Sequence, residues 1–360
     1  MRVLHIHWAA RPVTGGVEAH LDAVVRQLGT LPCDVETVSG TRESLGAAYD
    51  AALDLEVPAA ASDITALVGR CARADIVHWH NPQWHKPSVT SAVVDALQGR
   101  GWRGRFVFDL HNIDEQPDQW ELLARLPGRM VAHSPFVAEE TRRRLGGREV
   151  TVLPLTLAEA EGEYSLPCRD RTVVLQPTRM TRWKGSHLSL EAALVLLEEG
   201  ADLHFVHAGT RHLVWPPGIS EELLERARGW QEKGRIHFVH YTPEQSWAAI
   251  SQSDIVVHPT IDRGTHGEPY SLSVAQAVIC GRHVIASDSG HLPRMLSRYS
   301  AGRLVRAGQL EDLTDALREA VRKPLVGQGP HDLSLSRELR EGFATAGAAH
   351  LRFYRSSSAA

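Results

Sequence analysis

What most constrains the fold of this chain is a rhythm. Short apolar runs of strand length recur, separated by segments whose apolar residues return every three to four positions. In the first half the runs are VLHIHW (3–8), DIVHWH (75–80), RFVFDLH (105–111) and EVTVLP (149–154). GVEAHLDAVVRQLG (16–29) and PFVAEETRRRLGG (135–147) have helical spacing, and a glycine pair stops the second. Strand, helix, strand in this order predicts a parallel sheet with helices on both faces. The rhythm pauses over LTLAEAEGEYSLPCRDR (155–171), which is mixed, polar and without period and reads as a linker. It restarts with TVVLQP (172–177), a helix over 186–199, LHFVHAG (203–209), a helix near 220–232, RIHFVH (235–240), DIVVHP (254–259), a helix over 271–280 and HVIAS (283–287). The fold class is therefore α/β, with two Rossmann-like parallel-sheet domains in tandem, over 1–160 and 170–335. An amphipathic helix within 336–360, starting near 332, is expected to pack back towards the first domain. Doubly wound sheets bind ligands beyond the C-terminal ends of their strands, so the two domains are expected to face each other across a cleft that holds the site.

Composition narrows the function. A chain of 360 residues suits two ordinary domains, and 43% hydrophobic with 23% charged residues is the make-up of a soluble globular protein. The net charge is −4 and no half hides an excess: residues 1–155 hold 16 Lys and Arg against 19 Asp and Glu, the remainder 23 against 24. Neither half is built to sit on nucleic acid or an anionic bilayer. Cys33, Cys71, Cys168 and Cys280 have no CxxC spacing and are expected as reduced, buried thiols of a cytoplasmic protein. The N-terminal MRVLHIHWAARPVTGG reads as a strand rather than a signal peptide, and no apolar run approaches the ~18–20 residues of a spanning helix.

Three loops after strands carry candidate chemistry. TGGVEAH (14–20) places Gly15 and Gly16 at a helix start, where free amides and the helix dipole favour an anion. A tight strand–helix turn accounts for the same glycines, and GxGxxG is absent. PTRMTRWKG (177–185) puts Arg179 and Lys184 in a short loop ending in Gly185, which suits a diphosphate, with Arg182 expected in solvent. HPTIDRGTHGEPYSLSVAQAVICGRHVIASDSG (258–290) sets Glu268 before a helix with Ser271 as its N-cap. Amides near 271–273 could then meet a second phosphate oxygen, and Glu268 could accept hydrogen bonds from sugar hydroxyls. Gln276 falls in the second turn of that helix, on a different face from Leu272 and Ala275.

The run EPYSLSVAQAVICGRHVIASDSG (268–290) resembles the EPFGLxxxEAxAxGxPVVAS signature of glycosyltransferase family 4. GGVE, DIVHWHNP, HSPFVAEETRRRLG, the Arg179–Lys184 pair and SDIVVHPT fall in family order, so the resemblance spans essentially the whole chain. It implies the GT-B fold, a retaining reaction and a nucleoside diphosphate sugar as co-substrate, with no metal and no other cofactor. Carried over residue by residue, it makes Gly16 a backbone donor to the diphosphate. Arg179 and Lys184 become the cations that stabilise its departure, Glu268 the acid that holds sugar hydroxyls, and His111 the active-site histidine near the donor sugar. Tyr270, Ser271 and Leu272 stand where the family has F-G-L, which adds a side chain beside the phosphates. Gln276 replaces the acid that binds the ribose diol, a neutral and weaker partner. His240 and Tyr241 replace the loop that contacts the base. His133 matches a structural helix start.

Twenty histidines invite a metal, with His5 and His7, and His78 and His80, each sharing a strand face. Hydrogen bonding to backbone or substrate is preferred for them, since each pair lacks further ligands. Trp8, Trp79, His80, Trp84 and His85, near strand ends, are candidates for the acceptor, with core packing an equal account of the aromatics. The reading is a retaining glycosyltransferase acting on a small soluble acceptor. A nucleotide-sugar epimerase or a phosphorylase on the same fold, and a non-catalytic nucleotide-sugar binding module, stand as alternatives.

Overall fold

Each half of the chain builds its own parallel sheet. The computed structural model describes residues 1–8, 15–40, 51–52, 61–82, 87–113, 117–158, 163–168, 170–208, 219–261, 267–327 and 329–356. The chain divides into two compact units, Met1–Leu157 with Gly342–Ala360, and Ala158–Glu341.

The first unit holds β1 (Arg2–His7), α1 (Gly16–Gly29), β2 (Asp34–Ser39), β3 (Ala51–Ala52), α2 (Ala61–Cys71), β4 (Ile76–His80), α3 (Pro87–Gly99), β5 (Arg105–Leu110), α4 (Pro117–Arg125), β6 (Arg129–Ala132), α5 (Pro135–Arg144) and β7 (Val150–Val152). Its strands lie in the order β3-β2-β1-β4-β5-β6-β7, every pair parallel. The order reverses between β1 and β4, where His5 stands beside His78. Both faces are covered. Leu4, Ile6, Trp79 and Phe108 pack on one side, and Val3, Val107, Val131 and Tyr354 on the other. Two-sided burial is why these strands read as nearly continuous apolar runs. Helix α5 starts at Ser134, whose Oγ accepts the Val137 amide at 3.2 Å, and Gly146 and Gly147, both at positive φ, follow its end.

The second unit holds β8 (Thr172–Gln176), α6 (Ser186–Glu198), β9 (Leu203–Ala208), α7 (Glu221–Glu232), β10 (Ile236–Val239), α8 (Ser246–Ser251), β11 (Ile255–His258), α9 (Leu272–Ile279), β12 (His283–Ser287), α10 (Leu292–Leu296), β13 (Gly302–Val305) and α11 (Leu310–Arg322). The order β10-β9-β8-β11-β12-β13 reverses between β8 and β11. The last helix, α12 (Pro330–Arg355), begins in this unit and ends in the first.

One expectation needs correcting. The stretch read as a polar linker buries Leu155, Leu157, Leu166 and Cys168. Its backbone is tied to α8: Trp247 Nε1 donates to Ala158 O at 2.9 Å, and Gln252 bonds both Tyr164 O and the Leu166 amide. Apolar residues spaced without period can still be buried when an irregular segment lies flat on a sheet, and periodicity does not see that case. No helix among the described residues is long and apolar enough to cross a membrane.

Candidate functional site

In the second unit the chemistry gathers at the switch point. Lys184 lies at the end of the loop after β8, and Glu268 in the segment after β11, the two strands between which the order reverses. Crevices form at such points because the connections leave in opposite directions. Lys184 Nζ donates to Glu268 Oε2 at 2.6 Å, and Thr260 Oγ1 donates to the same oxygen at 3.0 Å. His258 Nε2 stands 4.0 Å from it. Burial alone would raise the Glu268 carboxyl, but Lys184, His258 and Thr260 outweigh it and hold the group below the ordinary carboxylate range. Burial lowers the Lys184 ammonium, with Glu268 opposing and Arg179 adding to the fall. A carboxylate and an ammonium are thus fixed side by side in a largely dry place, with Arg179 close enough to be felt.

Glycine geometry holds the pair. Gly185, at φ +70°, ends the turn that carries Lys184, and a Cβ there would lie 2.0 Å from Pro259 O. Gly290, at φ +56°, would set a Cβ 2.2 Å from Glu268 O. Ser289 Oγ accepts the Glu268 amide at 3.0 Å, and the His291 amide donates to Glu268 O at 2.8 Å. The Glu268 backbone is therefore gripped from both sides by the 289–291 turn.

Helix α9 follows at once. Ser271 caps it, its Oγ accepting the Val274 amide at 3.2 Å. Leu272 opens the helix, half-buried, and Tyr270 stacks on His291 with ring centroids 5.5 Å apart. Gln276 is buried, and its Nε2 donates to Ser246 Oγ at 2.7 Å, which takes one of its two N–H groups. Arg179 is half-buried and Arg182 exposed. His240 is exposed, while Tyr241 packs edge-on against Tyr164.

In the first unit the histidines form one network around Asp109, a carboxylate with no exposed surface inside β5. His133 Nε2 (2.8 Å), His78 Nε2 (3.2 Å), His80 Nδ1 (3.2 Å) and His111 Nε2 (3.4 Å) all approach Asp109 Oδ2. Burial would raise Asp109, but His111 and His133 hold it well below the ordinary range. Proton bookkeeping then orders the chain of bonds. His78 Nε2–H donates to the ionised Asp109 Oδ2, so its Nδ1 accepts from Tyr354 Oη at 2.6 Å. Tyr354 Oη in turn meets His5 Nε2 at 3.5 Å, His5 Nδ1 meets His80 Nε2 at 2.9 Å, and His80 Nδ1 meets His111 Nε2 at 3.0 Å. His111 is the outermost ring of the chain, and burial lowers its pKa against the pull of Asp109. Its backbone amide donates to Asn81 Oδ1 at 2.9 Å, from an Asn81 held at φ +45°, a conformation asparagine tolerates better than most residues.

Several sequence assignments change here. Trp79 has no exposed surface and sits in the core of the first unit, so it cannot stack on an acceptor. His80 is equally buried, clasped between His5 and His111; it positions His111 and does not reach a ligand. Alternation explains both, since 76–80 is buried on each face. Gln276 does not stand apart from Ala275 on a ligand-facing side; both are buried. Trp8 is half-buried at the end of β1, and Trp84 and His85 lie outside the described residues. Gly15 precedes α1 in extended conformation and Gly16 opens it exposed, but Glu18 stands in the first turn and bonds His7 Nε2 at 3.2 Å. Sequence reasoning missed Thr260, Ser289, Asn81, Asp109 and Tyr354. A signal existed for Asp109, an acid inside the otherwise apolar RFVFDL, and for Thr260, two residues beyond a strand end.

Comparison with known proteins bears on the fold and on the second unit. Residues 171–323 match the model of the family Glycosyl transferases group 1. A phosphatidyl-myo-inositol mannosyltransferase of Mycobacterium leprae is 29% identical over 172 residues, 48% of this chain, and the match spans only 39% of that relative's length. Among solved structures, a glycosyltransferase from Rickettsia africae superposes with a TM-score of 0.73 at 15% identity, covering 98% of this chain and 97% of its own. HepE from Anabaena in complex with UDP-glucose gives 0.72 at 14% identity, covering 98% and 100%. Sucrose-phosphate synthase from Thermosynechococcus elongatus gives 0.69 at 15% identity, covering 99% and 100%. The chain has the GT-B fold, and its residues 171–323 are similar to the family Glycosyl transferases group 1.

Proposed function

We propose that the chain is a retaining glycosyltransferase that moves a sugar from a nucleoside diphosphate to a small soluble acceptor. The observation that carries the reading is the buried Lys184–Glu268 pair at the β8/β11 switch point, with Arg179 beside it. An ammonium has three N–H donors, of which Glu268 takes one, leaving two for oxygens of the departing diphosphate. Arg179 and the first amides of α9 supply further positive potential where charge develops as the glycosidic bond breaks. Glu268 keeps a second oxygen for hydroxyls of the transferred sugar. The acceptor attacks on the face the diphosphate leaves, through an oxocarbenium-like state, and configuration is kept. The family match and the UDP-glucose bound to the Anabaena neighbour support a nucleotide-sugar donor. The part of His111 in sugar recognition, and the donor contacts of Gly16, Tyr270 and Gln276, rest on the resemblance. The near-neutral charge of the first 155 residues supports a soluble acceptor over an anionic lipid.

Slow hydrolysis of UDP-, ADP-, GDP- and dTDP-sugars, measured without acceptor, tests the site. One donor should be turned over, and Lys184→Ala should lower that rate about 10²–10³-fold. Near-normal turnover in the variant would remove Lys184 from the diphosphate site. An epimerised sugar still attached to its nucleotide would replace transfer by epimerisation.

A further inference from the structure

At the opposite edge of the second sheet, by the N-terminal ends of its strands, lies a group the sugar-transfer reading does not use. Cys168 Sγ and one nitrogen each of His204 and His237 lie within 4.8 Å of one another. His204 is the second residue of β9 and His237 the second of β10. His237 stands in register with Val206, two residues from His204, so both rings project from the same face of the sheet. The buried segment carrying Leu166 and Cys168 lies close enough to bring the thiol to them.

The proton positions on the two rings are the decisive detail. His204 Nε2 donates to Asp170 Oδ1 at 2.8 Å, which leaves a lone pair on Nδ1. That lone pair faces His237 Nε2 at 3.4 Å. That separation suits a long N–H···N contact and equally a metal ion between the two nitrogens. Two nitrogens bound at about 2.0–2.1 Å to one tetrahedral zinc stand roughly 3.3–3.4 Å apart. A histidine whose far nitrogen donates to a carboxylate is the usual arrangement behind a metal ligand.

We propose that Cys168 Sγ, His204 Nδ1 and His237 Nε2 bind a zinc ion, with Asp170 as the carboxylate that orients His204. One thiolate with two imidazoles is a zinc donor set. The ion fastens the segment entering the second unit to β9 and β10, beyond the ties that Trp247 and Gln252 already make to α8. Three protein donors leave the fourth tetrahedral position to a water, and the ion's part is to hold this segment in place. It lies at the other edge of the sheet from Lys184 and Glu268 and leaves their chemistry to the chain's own side chains. The inference is independent of the sugar-transfer reading.

Cobalt reports such a site directly. The full chain, stripped with chelator, is titrated with Co²⁺. One equivalent should bring up a thiolate-to-cobalt charge-transfer band together with the strong visible bands of a tetrahedral ion, and Zn²⁺ should bleach both. Cys168→Ser should abolish the charge-transfer band. Asp170→Asn, at an exposed side chain, should weaken Co²⁺ binding about 10–100-fold while its melting temperature in chelator stays that of the parent. Cobalt bound without a thiolate band would place the ion elsewhere, for instance among the histidines around Asp109, and overturn the proposal. So would a band that survives Cys168→Ser, or an Asp170→Asn variant of unchanged affinity. Failure of any of these would leave donor hydrolysis by the β8/β11 site untouched.

Discussion

The Lys184–Glu268 pair shows how a single contact sets both stability and chemistry. With Glu268 3% exposed, each charge is tolerable because the other is there. Glu268→Gln keeps the shape and leaves Lys184 buried with a neutral partner, which should cost about 3–5 kcal/mol. Lys184→Met should do similar harm from the other side. The double variant, with neither charge to strand, should recover part of the loss. Urea unfolding of the four proteins measures this, and simple additivity of the two single losses would mean that the ions do not act as a pair. Glu268 and Lys184 were each legible in the sequence from their loops. Their contact was not, because residues 84 apart meet only through the order of the strands. Asp109 was passed over for a related reason: three of the four rings around it, His78, His80 and His133, come from other strands or the ends of them.

At the scale of elements, turns decide where those side chains stand. Gly290 lies at φ +56°, and any Cβ there runs into the Glu268 backbone. Gly290→Ala should therefore shift the 267–270 segment, cost about 1–3 kcal/mol from the left-handed backbone alone, and lower donor turnover out of proportion to its effect on folding. Gly229→Ala, on α7 with open space around its Cβ, is the control and should leave both unchanged or slightly improved. Equal turnover in the two variants would show that the 289–291 turn does not hold Glu268. The long strands and the two-domain rhythm were legible since their apolar runs are buried on both faces. β2, β3, β6 and β13 went unnamed in the sequence. β2 alternates with polar residues, β3 has only two residues, and β6 (RMVA) and β13 (GRLV) are four-residue strands each carrying an arginine. The stretch 155–171 does carry the boundary between the two units, but its packing went unread because an irregular stretch has no period.

For the whole molecule, buried histidine is the common thread, and it has a consequence in acid. Burial pushes His78 and His207 down to about 3, and His258, His283 and His350 down to about 4. In the unfolded chain the same rings titrate near 6.5. Between these values the unfolded state binds protons that the folded state refuses, so stability must fall as pH drops below about 6.5. Each ring contributes a slope of up to about 1.4 kcal/mol per pH unit until its own folded value is reached. Below about 4.5 Glu268 joins with the same sign, since its lowered pKa gives stability that is lost as the carboxylate takes up a proton. These rings are spread over both units, so neither should be spared. Urea midpoints taken at pH 7.5, 6.5, 5.5 and 5 should already slip over the first step and then decline ever more steeply. A midpoint that stays level down to pH 5 would mean the rings are protonated in the folded state, and the bond directions drawn around Asp109 would have to be redrawn.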